Sequence, residues 1–113
     1  MQKQARRDKI FRALADPTRR ALLDMLRAED ANVSTLVSAF DVSQSAISQH
    51  LKILKDARLV SERKIGRENI YRLDPAPLAE AYDWIAHYSE FWEDHLLKLG
   101  KHLGRKHGKK NTL

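Results

Sequence analysis

Residues 43–54, Ser-Gln-Ser-Ala-Ile-Ser-Gln-His-Leu-Lys-Ile-Leu, form the most informative stretch of this chain. Ile47, Leu51 and Leu54 recur at helical spacing, so one face of a helix would pack against a core. The opposite face carries short or planar polar groups that can hydrogen-bond base edges and phosphates in a DNA major groove, namely Gln44, Ser45, Ser48, Gln49 and Lys52. An ordinary surface helix would carry more Glu and Lys, which favour helix better than Ser. The stretch predicts a DNA-recognition helix.

The chain has 113 residues and no cysteine. This length suits one domain with a single core. The lack of cysteine excludes disulfides, thiolate metal sites and thiol redox switches. There is no apolar stretch long enough to span a bilayer, and the first residues lack the apolar run of a signal peptide. We therefore expect a cytoplasmic protein with no membrane partner.

The formal net charge of +6 is unevenly distributed. Residues 1–97 contain fifteen basic and fifteen acidic side chains, and the six remaining basic residues all follow. Within the balanced part, residues 43–73 hold seven basic and three acidic side chains. A basic stretch beside a recognition helix is expected of a surface that binds phosphates. The alternative is an ordinary solvated surface.

Three helices are predicted before the recognition helix. The first covers residues 5–15. Asp16 would cap the second and Pro17 would occupy its first turn. Ser34 would cap a short third helix, and Asp41 would lie in the tight turn that follows it. The inward positions of the second and third helices would be Ala21, Leu22, Met25, Leu26, Leu36, Val37 and Phe40. Two helices joined by a short turn are typical of helix-turn-helix proteins.

A β-hairpin is predicted after the recognition helix. Residues 59–64 and 69–73 contain β-branched or aromatic residues in short runs, and Gly66 permits the positive φ that a hairpin tip needs. Such a hairpin is a wing beside the recognition helix. Its cationic side chains could reach adjacent phosphates or a minor groove, and they are Arg63, Lys64 and Arg67. The predicted fold class is mainly α with a small β-hairpin.

A long last helix is predicted from Asp74, which would cap it, with Pro75 and Pro77 in its first turn. Its apolar residues recur at helical spacing: Leu78, Ala81, Ile85, Tyr88, Trp92, Leu96, Leu99 and Leu103. So much apolar surface exceeds what one small domain can cover, which favours a dimerisation helix over an intramolecular core helix. Residues 1–103 would form the DNA-binding and dimerisation domain, and residues 104–113 a mobile basic tail that adds nonspecific DNA affinity.

Three stretches carry a family resemblance: residues 13–20 (Ala-Leu-Ala-Asp-Pro-Thr-Arg-Arg), residues 43–52, and residues 70–75 (Ile-Tyr-Arg-Leu-Asp-Pro). In this order they resemble the winged helix-turn-helix repressors of the ArsR/SmtB family. The resemblance implies a small homodimer that occludes a promoter and leaves when an effector binds. Asp41 stands where the family usually has Gly, and we expect tolerance because Asp adopts left-handed geometry more readily than most residues.

Metal-sensing relatives use Cys on the helix-turn-helix, or Asp-x-His with a downstream His-x-x-Glu on the last helix. This chain lacks the first set. The second is broken because Trp84 and Ile85 follow Asp83, and Leu96, Leu97 and Lys98 follow His95. We therefore predict a regulator with no metal site and no cofactor, whose effector is unknown. One alternative stays open, an unusual Zn²⁺ or Ni²⁺ site across a dimer, drawn from Glu80, Asp83, His87, His95 and His102.

Catalytic motifs are missing from the sequence: there is no glycine-rich phosphate loop, nucleophile elbow or paired carboxylate motif. We therefore predict that the chain is not an enzyme. Two function classes remain, a sequence-specific repressor that binds an inverted-repeat operator as a homodimer, and a winged-helix module that binds protein. The basic wing beside Gln44 and Gln49 favours DNA.

Overall fold

The computed structural model describes residues 2–89, 91 and 95. Within them the chain is mainly helical with one small antiparallel sheet, as predicted. The elements are α1 (Gln2–Leu14), α2 (Pro17–Ala28), β1 (Ala31–Asn32), α3 (Val33–Ser38), α4 (Gln44–Asp56), β2 (Val60–Ile65), β3 (Glu68–Leu73) and α5 (Leu78–Ala86). The chain divides into two units, Met1–Ala81 and Tyr82–Leu113. None of the described helices is long and apolar enough to cross a bilayer.

Asp16 starts α2 as its N-cap. Its carboxylate accepts hydrogen bonds from the backbone N–H groups of Thr18 and Arg19 at 2.8 and 3.1 Å. Pro17 is the first residue of the helix, where its missing N–H is not needed. The predicted capping pair is therefore confirmed.

Two arginines of the same motif close α1. Nε of Arg19 donates to the Ala13 carbonyl at 2.8 Å, and Nη2 of Arg19 donates to the Arg12 carbonyl at 3.0 Å. Nη1 of Arg20 donates to the Leu14 carbonyl at 2.8 Å. The last carbonyls of a helix have no partner within it. Residues 16–20 thus begin one helix and complete the hydrogen bonding of the previous one.

Side chains from α1, α2, α3 and α4 meet in one core. The largest fully buried residues are Ile10, Leu22, Leu36, Ile47, Leu51, Leu54 and Leu59. Three of them, Ile47, Leu51 and Leu54, are the core positions predicted for the recognition helix. Burying each such side chain contributes about 1.5–3 kcal/mol relative to leaving it in water. The core therefore fixes the orientation of α4.

The sheet has the strand order β1-β3-β2. β2 and β3 form the predicted hairpin, with Ile65 opposite Glu68, so Gly66 and Arg67 make a two-residue turn. Gly66 has φ +65° at the first turn position, where glycine is favoured in tight hairpins. β1 pairs only two residues with β3, and sequence patterning missed it because two residues carry no periodicity.

Two details of the helix-turn-helix differ from prediction. The N-cap of α3 is Asn32, whose side-chain oxygen accepts from the Thr35 backbone N–H at 2.8 Å, and Ser34 lies inside the helix. Asn32 takes this place because β1 ends there in extended geometry. Among the described non-glycine residues only Arg58 has positive φ, so Asp41 does not use the left-handed geometry that was expected of it.

The start of α5 also differs from prediction. The Asp74 side chain accepts from the backbone N–H of Ala76 at 3.1 Å, which forms a turn before the helix instead of capping it. The backbone carbonyl of Pro75 accepts from the N–H of Leu78, the first helical residue, at 2.9 Å. Pro75 and Pro77 lie in this turn, so both precede α5, which begins at Leu78.

The predicted uninterrupted long helix is not confirmed. α5 ends at Ala86. Two i to i−3 hydrogen bonds follow: the His87 N–H donates to the Trp84 carbonyl at 3.2 Å, and the Tyr88 N–H donates to the Ile85 carbonyl at 3.0 Å. His87 and Tyr88 are weaker helix formers than Leu or Ala, which favours a break here. The predictions for Trp92, Leu96, Leu99, Leu103 and the tail 104–113 lie outside the described residues.

The residues predicted to form the dimer surface separate into two groups. Ala81 is buried at 5% exposure and Leu78 is half-buried against the core, so Ala81 is a core residue of the single chain. Its small side chain suits an inward position. Ile85 and Tyr88 are 43% and 49% exposed.

Candidate DNA-binding surface

Helix α4 presents the polar face that the sequence predicted. Ser43 is the N-cap, and its hydroxyl oxygen accepts from the backbone N–H of Ala46 at 3.1 Å. The predicted contact residues of the helix are all exposed, and they are Gln44, Ser45, Ser48, Gln49 and Lys52. Lys52 lies 3.6 Å from the carboxylate of Asp56, but both side chains are exposed, so this pair is weak and Lys52 stays available to a phosphate.

A groove joins α4 to the wing, and we call it the wing groove. It has a volume of about 420 Å³. Gln44 and Ser48 of α4 line it together with Arg67 and Asn69 of the wing, and Ser34 of α3 lines it as well. Amide, hydroxyl and guanidinium groups from three elements therefore border one concave surface. Such groups bind phosphate oxygens and base edges.

The three wing cations do not share one face of the hairpin. Glu62 faces α4, because it forms an ion pair with that helix. Lys64 is two residues further along the strand and so lies on the same face, whereas Arg63 lies on the opposite face. Arg67 lines the wing groove from the turn. All three are exposed, but Lys64 and Arg67 are placed on the recognition side and Arg63 is not.

An ion pair fastens the wing to α4. The Lys55 ammonium lies 2.7 Å from Oε1 of Glu62. This hydrogen bond lowers the pKa of Glu62 below its ordinary value, and a hydrogen bond from Tyr71 acts in the same direction. Burial, with the nearby Glu62 charge, raises the pKa of Tyr71 to about 12. The wing is thus held to the recognition helix by a charged contact over a buried tyrosine.

A second contact fastens α4 to α2. Nη1 of Arg19 lies 3.2 Å from Nδ1 of His50, on the recognition helix. A guanidinium only donates, so this contact is a hydrogen bond when Nδ1 is the unprotonated ring nitrogen. Nδ1 is 4.0 Å from Asp16, too far for a hydrogen bond, so the arginine contact defines the geometry. Backbone hydrogen bonds from Arg19 and Thr18 lower the pKa of Asp16.

Sequence reasoning missed several residues of the wing groove, among them Asn69 and Ser34. Asn69 stands opposite Lys64 in the hairpin register, so a two-residue turn at 66–67 would have revealed it. Ser34 was assigned to capping, and because Asn32 does that work, the exposed Ser34 side chain lines the groove instead. Asn32 and Ser34 are both good N-cap residues, so the sequence alone could not tell which caps α3 and which lines the groove.

No group of three metal-ligating side chains is found within residues 2–89, 91 and 95. Among the histidines considered for a metal, His87 and His95 are exposed, and His95 packs against Phe91 with ring centres 4.3 Å apart. His102 lies outside the described residues.

Residues 16–62, which include the helix-turn-helix and the start of the wing, match the family model described as bacterial regulatory protein, arsR family. The transcriptional repressor SdpR of Bacillus subtilis is 34% identical over 79 residues, which are 70% of this chain and 88% of that repressor. The chain belongs to the ArsR family. It is therefore a DNA-binding transcriptional regulator and not an enzyme.

Two further comparisons agree with this ArsR family assignment. The HTH-type transcriptional regulator Rv2034 of Mycobacterium tuberculosis is 47% identical over 72 residues, which are 64% of this chain and 67% of that regulator. The structure of an ArsR-like transcriptional regulator from Rhodococcus sp. RHA1 superimposes with a TM-score of 0.71 at 30% identity, covering 91% of this chain and 97% of that one. The predicted winged helix-turn-helix fold is thereby confirmed.

Proposed function

We propose that this ArsR family regulator is a homodimeric repressor that binds an inverted-repeat DNA operator. The observation that carries the proposal is the wing groove, where Gln44 and Ser48 of α4 and Arg67 of the wing border one surface. A duplex seated there would place α4 in the major groove and the wing along the adjacent backbone. Repression follows if the bound dimer occludes a promoter.

The contacts divide by chemistry. The planar amides of Gln44 and Gln49 can form paired hydrogen bonds with adenine, whereas the hydroxyls of Ser45 and Ser48 suit either bases or phosphates. Lys52, Lys64 and Arg67 supply positive charge to phosphates, independently of sequence. We assign Arg63 a lesser part because it lies on the other face of the hairpin.

A second copy of this chain is the occupant we propose for the apolar surface of residues 82–91. Trp84, Ile85, Tyr88 and Phe91 line an apolar groove of about 220 Å³ and are between 41% and 59% exposed. Tyr82 adds an exposed ring at 69%. Exposed aromatic clusters of this kind are enriched at protein interfaces. Two-fold pairing through this surface would present two α4 helices to the two halves of one operator.

The operator is found by selecting bound duplexes from a random-sequence pool. We expect an imperfect inverted repeat whose half-sites lie about one helical turn apart. Gln49→Ala should weaken binding to the selected operator by about 1–3 kcal/mol and leave binding to random DNA almost unchanged. Equal losses on both duplexes would remove Gln49 from base readout. Selection of an asymmetric single site would refute the inverted repeat.

Arg67→Ala and Arg63→Ala form a matched pair that tests the wing. Both remove one guanidinium, but only Arg67 lines the wing groove. Arg67→Ala should weaken binding to all duplexes and reduce the salt slope of log K by about 1, as expected when one phosphate is no longer neutralised. Arg63→Ala should have the smaller effect. Fluorescence anisotropy across a salt series measures both, and equal effects would contradict the proposed orientation of the wing.

Sedimentation equilibrium tests the homodimer. Wild-type protein should sediment as a dimer at micromolar concentration. Ile85→Glu should convert it to monomer because a buried unpaired carboxylate is costly in an apolar interface. Ile65→Glu is the matched control, since Ile65 is also exposed, at 51%, but lies at the wing tip. A monomeric wild type, or equal dissociation by both variants, would overturn the assignment.

A further inference from the structure

A cleft on the first unit is not explained by DNA binding. It has a volume of about 670 Å³ and is lined by α1, by the C-terminal end of α4, and by the residues that open α5. We call it the α1–α4 cleft. Its apolar walls include Ala5, Ile10, Ala57 and Pro77, and its charged side chains include Arg6, Lys9, Asp56, Arg58 and Glu80. A space of this size accommodates a small organic molecule.

Glu80 contributes a buried carboxylate oxygen that accepts no hydrogen bond from the described residues. Its Oε2 accepts from Nε of Arg6 at 2.9 Å. Its Oε1 is buried and has no hydrogen-bond partner among the described residues. A buried carboxylate oxygen without a donor is unfavourable, and such an atom in a native structure calls for an explanation. A bound molecule with an N–H or O–H group would supply the missing donor once the side chains that shield Oε1 from solvent move aside.

The cleft also holds positive charge that the protein does not neutralise. Its lining has three cations, Arg6, Lys9 and Arg58, against two carboxylates, of which Glu80 pairs with Arg6 and the exposed Asp56 lies 3.6 Å from Lys52. Within the described part of the chain, the side chains of Lys9 and Arg58 form neither a salt bridge nor a hydrogen bond. The unneutralised charge favours an anion.

Arg58 occupies a position that normally selects glycine. It follows α4 with φ +64°, in the left-handed region that is unfavourable for residues with a Cβ. Glycine is the common residue at this place after a helix. A strained residue retained in a cleft points toward a functional use of its side chain. Here the side chain contributes a cation to the cleft.

We propose that the α1–α4 cleft binds a small organic acid that also carries an N–H or O–H donor. The donor meets Oε1 of Glu80, the carboxylate meets Lys9 and Arg58, and the aliphatic part lies against Ile10 and Pro77. The donor and the carboxylate of the ligand are inferred from protein groups that lack a partner among the described residues. The aliphatic part is inferred from the apolar side chains that line the cleft.

This molecule is a candidate effector, a role that rests on the proposed function. The cleft includes Asp56, the last residue of α4, and Ala57 and Arg58 directly after it. A ligand held between these residues and α1 would shift the end of the recognition helix. Such a shift changes how Gln44 and Gln49 meet an operator, which couples the two sites.

Four probes of simple chemistry test the binding. 6-Aminohexanoate and 6-hydroxyhexanoate carry both groups, hexanoate lacks the donor, and hexylamine lacks the acid. Each is titrated into ¹⁵N-labelled full-length protein. We expect saturable shifts of the amide signals of Lys9, Ala57 and Arg58 with the first two probes. Hexanoate and hexylamine should bind at least about tenfold more weakly than these two. No saturable shift with any probe would overturn the site, and equal binding of hexanoate would overturn the role of Glu80.

Paired variants assign the groups. Glu80→Gln and Lys9→Met should each weaken 6-aminohexanoate binding by about tenfold or more. Glu29→Gln and Lys3→Met are their controls, because both residues are exposed and lie outside the cleft. If Glu80→Gln fails to fold, Lys9→Met alone decides. Controls that lose binding as strongly as the cleft variants would overturn the proposal.

The effector role is measured separately on the selected operator. Saturating 6-aminohexanoate should change operator affinity at least about fivefold, within the range of allosteric coupling. Lys9→Met should remove the change and Lys3→Met should keep it. Probe binding without any effect on the operator complex would overturn the effector role and leave the site. Failure to select any operator would overturn the proposed function, while the titration of free protein still decides the site.

Discussion

Arg19 connects α1, α2 and α4 in the first unit. It donates to the last carbonyls of α1 and to His50 on α4, and its backbone N–H serves the Asp16 cap. Its planar guanidinium has several donors fixed in direction, so one side chain can serve three acceptors. The position of the recognition helix relative to the α1–α2 corner therefore depends on this arginine.

Arg19→Ala should lower the free energy of unfolding by about 1.5–3 kcal/mol, because charged hydrogen bonds to partly buried acceptors are removed. Arg19→Lys should recover little, since an ammonium cannot reproduce the fork. Arg20→Ala removes a single exposed hydrogen bond and is the control, with an expected loss below about 1 kcal/mol. Urea unfolding followed by circular dichroism measures each. Equal losses for the two alanine variants would refute the central part given to Arg19.

At the scale of elements, α4 ends in a Schellman motif. The backbone N–H of Leu59 donates to the carbonyl of Leu54, and that of Arg58 donates to the carbonyl of Lys55, both at 2.9 Å. Leu54 and Leu59 are fully buried, which supplies the apolar contact of the motif. The left-handed position between them is held by Arg58 rather than glycine.

Arg58→Gly should raise the free energy of unfolding by about 1 kcal/mol, since glycine adopts left-handed geometry without the Cβ penalty. Arg58→Ala is the control for the removed charge, because alanine retains the strain and should bring no gain. Thermal or urea unfolding distinguishes the two. A gain for both would assign the effect to charge and not to the backbone.

The junction between the wing and α4 should weaken in alkali. The folded pKa of Tyr71 is raised to about 12 from 10.0. The folded state therefore holds the phenolic proton more tightly than the unfolded chain, and stability present below pH 10 is lost as pH rises towards 12. Two pKa units correspond to at most about 3 kcal/mol. Urea unfolding at pH 9 and 11.5 should show this loss for wild type and a smaller loss for Tyr71→Phe.

Sequence periodicity predicted those elements whose apolar residues repeat over several turns. Ile47, Leu51 and Leu54 are buried as expected, and the face of Gln44 and Gln49 is exposed. Periodicity could not reveal β1, which is two residues long and depends on β3 more than thirty residues later. The left-handed Arg58 was missed because the usual marker, glycine, is absent there. The α1–α4 cleft was missed because its side chains come from three distant segments.

At the scale of the whole molecule, charge is separated along the chain. Residues 1–97 balance, so the net charge of +6 comes from the basic residues that follow. Four of them are Arg105, Lys106, Lys109 and Lys110, outside the described residues. A cationic segment of this kind would attract phosphates without reading sequence.

Deleting residues 105–113 should weaken binding to operator and to random DNA by the same factor. The salt slope of log K should fall by up to about 4 per chain, because each phosphate that is no longer neutralised lowers it by about 0.9. Anisotropy titrations at several salt concentrations measure the slope, and a tail of the same composition in shuffled order should restore it. A changed ratio of operator to random affinity would show that the tail contributes to specificity.

The arginine at the end of α4 has a consequence for laboratory evolution. A screen that selects only for heat resistance would favour glycine at position 58, because glycine adopts the left-handed geometry without strain. Such a screen would also discard the cation that faces the α1–α4 cleft. If the α1–α4 cleft binds the proposed effector, variants evolved for heat resistance are expected to lose the response to it while they still fold and bind DNA. Selection under alternating conditions, with repression required in one and release in the other, should keep Arg58.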